Sequence, residues 1–342
     1  MNRILLFLCI MMVFTIAWVR YREIPLAVIG QPASTGLLQN TKEAPFFNKL
    51  KETTGLPLKV TYRPLNTVGF KDTYQLYMLK DGLFDLVSLR FIQNSEAEPA
   101  LQGIDLAGLY SDYDTARTVV RTYSETLDRY LNDTFDVKLL GVWTFGPQVL
   151  FCSKPIQHIE DIKGLKVRVG SASLATLISS LDGTPFIIPF DDTKSALAIG
   201  LVDCAITSAT SANFAGWPEH TRYYFPLAIH FGLNGYAISL KKWSVFSKKE
   251  QAILTAAFDA YLDDLWKFSQ TTHLDSSNCN IGHECKNGTS YHMILVEPSM
   301  HDVQVLEAIA RTRLLPEWAE KCERVHPGCR DEWTAKVLAH IH

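Results

Sequence analysis

The stretch "KGLKVRVG" (163–170) alternates Leu165, Val167 and Val169 on one side with Lys166 and Arg168 on the other, a period of two that marks a short strand. The residues after it read as a helix (173–183), a strand "TPFIIPF" (184–190), a second helix (192–201) and a strand "VDCAITSA" (202–209). Strands alternating with helices of this length predict a parallel sheet with helices on its faces. Asp192 is expected to cap the second helix, its carboxylate accepting free amide protons of the first turn. Arg168, so near the end of its strand, has two readings: a solvated edge, or a side chain presented to a ligand where strands end.

A similar unit precedes this one. "IPLAVIG" (24–30), a helical pattern over 43–55, "LPLKVTYRP" (56–64), a helical pattern over 70–82 and "LFDLVSLRF" (83–91) give strand, helix, strand, helix, strand. A helix-rich stretch (113–133) leads to strands over 137–145 and 147–155. The alternating run 223–243 is long enough to pass from one lobe back into the other. A long amphipathic helix (247–274) follows, with Ser247 and Glu250 spaced as a capping box. At 342 residues the chain accommodates two α/β lobes, each with its own core. The expected division is 24–145 with 234–274 as the first lobe, and 146–233 with 275–342, including a cysteine-rich helical tail, as the second.

Arg3 and the uncharged run Ile4 to Val19 read as an export signal or an uncleaved N-terminal anchor within 1–23, placing the body outside the cytoplasm. Six cysteines beyond Cys9 fit an oxidising compartment. Cys279 with Cys285 and Cys322 with Cys329 are the simplest local disulfides. His283 and His326 inside those loops raise a zinc alternative, but the spacing matches no common zinc finger. Cys152 and Cys204 fit a disulfide or buried free thiols equally well. With 33 Lys and Arg against 36 Asp and Glu, the charge balance gives no case for a nucleic-acid partner. The sequence contains no nucleophile elbow, no histidine pair at metal spacing and no phosphate-binding glycine loop, so neither an enzyme nor a cofactor is expected. "IGQPASTG" (29–36) lacks the Lys-Ser/Thr ending of a P-loop. His230 and His301 show no partner in the sequence.

Residues 155–209 resemble the solute-binding proteins of tripartite ATP-independent periplasmic (TRAP) transporters. The match is carried by Pro155-Ile156, Asp161 to Arg168, Gly183-Thr184-Pro185, Pro189 to Leu197, Gly200 and Val202-Asp203 in order, and extends through 80–88 and 240–258. The resemblance implies a two-lobed clamshell of type II periplasmic-binding-protein form, with mixed sheets and a long helix spanning the hinge. It also implies a receptor that hands a small organic acid to TRAP permease subunits driven by an ion gradient. The alternative is an anchored sensing module of the same fold. In such receptors the residue matching Arg168 anchors the ligand carboxylate, and a planar guanidinium fork meets both carboxylate oxygens as Lys166 cannot.

Gln148 stands where sugar-acid receptors of that family often have a second arginine, and Thr207 where many have a ligand-contacting polar residue. Arg90 falls at a first-lobe pocket position, or pairs at the surface with Glu96 or Glu98. Gln31, Phe190, Trp217, Phe231 and Asn234 complete the candidate site, with Trp143 and Phe145 as further aromatics near strand ends; Phe190 and Phe231 also read as core residues, and Asn234 as a hinge residue. Should several aromatics face the cleft, a small aromatic or branched monocarboxylate is the expected ligand.

Overall fold

A computed structural model describes residues 23–341. The expected export segment or anchor lies, except for Glu23, outside the described residues.

The two β-α-β units build two separate mixed sheets. Strands β1 (Ile24–Gly30), β2 (Leu58–Pro64), β3 (Leu86–Arg90), β4 (Val137–Thr144) and β10 (Leu233–Ser239) form the first, in the order β2-β1-β3-β10-β4. Strands β5 (Gln148–Cys152), β6 (Lys166–Val169), β7 (Thr184–Ile187), β8 (Cys204–Ser208), β9 (Tyr223–His230) and β11 (Ile294–Leu295) form the second, in the order β11-β9-β5-β8-β6-β7. β1, β2 and β3 are parallel, as are β6, β7 and β8. β10 enters the first sheet antiparallel to β3 and β4, and β5 enters the second antiparallel to β8 and β9.

The chain crosses between sheets after β4 and after β9, and each crossing turns on a glycine. Gly146 (φ +87°) and Gly232 (φ +58°) occupy the left-handed region. A Cβ at Gly146 would lie 2.4 Å from the Tyr113 hydroxyl, and one at Gly232 would lie 2.6 Å from Gln148 Nε2. The continuous alternation of 223–243 is therefore two strands hinged at Phe231–Gly232.

Lys248–Ile281 is a single helix of 34 residues, about 50 Å long. Its start is the expected capping box: Ser247 Oγ accepts from Glu250 N, and the Glu250 carboxylate accepts from Ser247 N. Its middle meets the first sheet, where Trp266 Nε1 donates to Val142 O. Its far end meets the second, through Tyr224 with Ser277 and Asn213 with Asn280. The helix after β7 differs from expectation. It begins at Phe190 behind Pro189, so Asp192 already lies within the first turn and caps nothing.

Among the described residues three disulfides are present: Cys152–Cys204, joining neighbouring β5 and β8, and the local pairs Cys279–Cys285 and Cys322–Cys329. The open choice at Cys152 and Cys204 is thus resolved as a bond. The tail does not stay with the second sheet, where 275–342 was expected. Asp302 accepts from Ile159 N on that side, but Trp318 Nε1 donates to Pro99 O and His326 contacts Glu98. Thr122 Oγ1 donates to Lys336 O in the same region. The last helices therefore rest on 98–135, whose helix Tyr113–Phe135 packs on β4 of the first sheet. His326 is stacked on Tyr130 at 3.9 Å, so its ring is committed to this docking.

Candidate functional site

Between the sheets lies a cavity of about 490 Å³, its open mouth included, lined from both sides. The second sheet contributes Arg168 from β6, Gln148 from β5, Thr207 and Ile206 from β8 and His230 from β9. The first contributes Arg90 from β3 and Leu233 and Asn234 from β10. Ile92, Gln93, Leu174 and the aromatic rings of Phe145 and Phe190 complete the wall.

Arg168 is the dominant charge. It is only 5% exposed, and its guanidinium is held flat by backbone: Nε donates to Ile188 O (2.9 Å) and Nη1 to Ile206 O (3.0 Å). Both carbonyls come from chain flanking β6, so the β-α-β order that forms the strand also builds the cradle. Trp217 backs the group with its ring 5.6 Å from the guanidinium carbon. Burial pushes the Arg168 guanidinium down to about 9; the positive charge of Arg90 adds to this, and Asp72 opposes it. The group remains cationic at neutral pH, yet no carboxylate of the described residues pairs with it.

Arg90 is held differently. Its Nη1 is 2.8 Å from Asp72 Oδ2, an ion pair at the cavity edge. The expected surface pairings are not formed: Glu96 binds Lys321, and Glu98 binds His326. Gln148 Nε2 donates to Gly146 O and Asn234 Nδ2 to Gly232 O, so both amides brace the crossings and reach the cavity wall.

Of the nine candidates, Arg168, Gln148, Arg90, Thr207, Phe190 and Asn234 line the cavity. Gln31, Trp217 and Phe231 do not. Gln31 is fully buried, with Nε2 on Ser88 and its backbone N–H on Glu43. Trp217 lies behind Arg168, and Phe231 is enclosed by Tyr110 and Tyr113. Trp143 is likewise interior. The main omission from sequence is His230. Its Nδ1 lies 3.2 Å from Asp105 Oδ2, and the Asp105 carboxylate also accepts from Phe231 N and Leu233 N. Asp105 thereby pins the second crossing, across 125 residues of sequence that hid the pairing from His230. His301 also has a partner, Glu160. Among the described residues no group of three or more His, Cys, Asp or Glu is placed to hold a metal ion.

Two mixed sheets joined by paired crossings and a shared helix, with a polar cavity between them, define a two-lobed periplasmic-binding-protein fold. The family model "Bacterial extracellular solute-binding protein, family 7" (DctP) matches residues 30–283, and the chain belongs to that family. This bears out the TRAP-type resemblance read from 155–209. The sialic acid-binding periplasmic protein SiaP of Vibrio cholerae is 24% identical over 177 residues, 51% of this chain and 55% of that one. An extracytoplasmic solute receptor of Bordetella pertussis that binds pyroglutamic acid superposes with a TM-score of 0.80 at 15% identity, covering 92% of this chain and 99% of that one. A TRAP periplasmic solute-binding protein of Desulfovibrio salexigens with bound orotic acid gives 0.81 at 13% identity, covering 93% and 100%. The family is one of extracellular binding receptors, not of enzymes. Among the described residues no helix is long and apolar enough to cross a membrane.

Proposed function

We propose that this chain is a periplasmic receptor that takes up a small organic acid between its two lobes, has no catalytic activity and delivers its ligand to TRAP permease subunits. The lobes are taken as the two sheets with their helices, and closure as rotation about the crossings at Gly146 and Gly232. One observation carries the reading. Arg168 is a buried cation, fixed by two carbonyls and faced by a cavity instead of by a carboxylate. A charge removed from water is costly unless paired, and a ligand carboxylate supplies the pair. Thr207, Gln148, Asn234 and Arg90 would orient the rest of the ligand, with Phe145 and Phe190 against its apolar part. The similar proteins named above bind sialic, pyroglutamic and orotic acids, all carboxylates, which supports the same chemical class here.

The test is a thermal-shift screen of the purified protein, freed of co-purified ligand, against aliphatic, sugar-derived and aromatic acids, each beside its neutral amide. A ligand at a hundredfold its Kd adds roughly 2.7 kcal/mol, a shift of a few degrees. Stabilisation by an acid and not by its amide is expected. Equal response to acid and amide, or silence across the panel, contradicts the proposal.

A further inference from the structure

We propose that Asp72 is a charge selector: by cancelling Arg90 it leaves the cavity with one uncompensated cation, Arg168, and makes the site selective for monocarboxylates bearing a neutral hydrogen-bond acceptor over dicarboxylates. This rests on the carboxylate reading of the cavity and narrows its ligand class.

The pair is built into the frame around β3. Arg90 N donates to Gln75 Oε1 (2.9 Å), and Asn94 Nδ2 lies 2.9 Å from both Arg90 O and Asp72 O. Asn94 therefore ties the turn bearing Asp72 to the strand end bearing Arg90, and their side chains meet at 2.8 Å with 30% and 12% exposure. Arg90 lines the cavity while Asp72 stands behind it. The charges of both residues are felt at Arg168, in opposite senses, so the three groups act on one space.

A dicarboxylate with one end on Arg168 must set its second charge near Arg90. It would then have to displace Asp72 or lie against a carboxylate of like sign, which disfavours it. A carbonyl or hydroxyl has neither difficulty, since Arg90 Nε and Nη2 remain to donate while Nη1 stays on Asp72. The other polar lining groups Gln148, Thr207, Asn234 and Gln93 are neutral. Behind His230, Asp105 spends its oxygens on Phe231 N, Leu233 N and the imidazole, adding negative potential on that side.

Near-isosteric pairs that replace the second carboxylate by a neutral amide test the effect: succinamate with succinate, glutaramate with glutarate, and phthalamate with phthalate. Dissociation constants are measured calorimetrically for the wild type, Asp72→Asn and Asp72→Glu, with melting temperatures as the check on folding. The wild type should prefer a monoanion to its matched dianion by at least tenfold. Asp72→Asn should move that ratio at least tenfold towards the dianion, and Asp72→Glu should restore it. Equal wild-type affinity within the pairs, or a ratio unmoved by Asp72→Asn, overturns charge selection. In that case carboxylate binding by the acid-and-amide screen still stands. Silence of all six compounds also overturns it, and silence of the wider acid screen removes the receptor reading as well.

Discussion

The two walls of the cavity each present one arginine, and they hold it in opposite ways. On the second sheet Arg168 is buried, gripped by the carbonyls of Ile188 and Ile206 and left without an anion. On the first, Arg90 is more exposed and already paired with Asp72. Carbonyls fix a guanidinium in place without neutralising it, whereas a carboxylate does both. The same residue type is therefore left as an unpaired charge on one wall and held as a neutralised pair on the other. The walls differ in reinforcement too, because Cys152–Cys204 joins β5 to β8, the strands that carry Gln148 and Thr207. None of the three disulfides lies within the first sheet.

The largest expected effect follows from that reinforcement. The Cys152→Ala/Cys204→Ala double variant releases a loop with a sequence separation of 52 and should lose up to about 4 kcal/mol of stability, read by urea unfolding. An unchanged midpoint would show that the second wall does not depend on its staple. Next comes the contrast between the arginines. Arg168→Lys keeps the charge but loses the fork, and should weaken binding of the acid found by the screen roughly 10- to 100-fold. Arg90→Lys, on a part-buried ion pair that keeps a cation beside Asp72, should cost less than about fivefold. Equal losses would erase the distinction between the walls.

The smallest effect concerns the tail that docks beside the first sheet. Burial alone would raise the Glu332 carboxyl, but hydrogen bonds from Thr126, Arg129, Tyr130 and Lys336 outweigh it and hold it down at about 2. A carboxyl depressed in the fold contributes stability above its ordinary value near 4.5 and loses it as pH falls towards 2. Glu332→Gln should flatten the melting-temperature profile over that window. A profile identical to the wild type would mean that this docking adds no pH-dependent stability.

Much of this was legible in the sequence because it is local. Alternation marked β6 and the strands around it, the Ser247 and Glu250 spacing marked the start of the long helix, and the motif around Arg168 marked the cavity. The unseen parts depend on long-range pairing. His230 meets Asp105 across 125 residues, and Arg90 pairs with Asp72 instead of the nearer Glu96 and Glu98 because Asn94 ties the turn bearing Asp72 to the end of β3. Trp217 and Phe231 were sensible aromatic candidates near strand ends and crossings. Their rings instead turned inward, one to support Arg168 and the other to fill the core between Tyr110 and Tyr113. Side-chain direction at a crossing is set by the turn geometry, which periodicity does not encode. The tail is expected with the second lobe, whereas its indoles find acceptors at Pro99 and Gly103 beside the first sheet.

The most direct measurement is a calorimetric titration of wild type and Arg168→Ala with the best acid from the screen, with far-ultraviolet circular dichroism confirming that both are folded. Truncating one partner of a buried charge pair should weaken binding about 100- to 1000-fold. A folded Arg168→Ala protein that binds the acid with unchanged affinity would contradict the assignment of Arg168 as the carboxylate anchor.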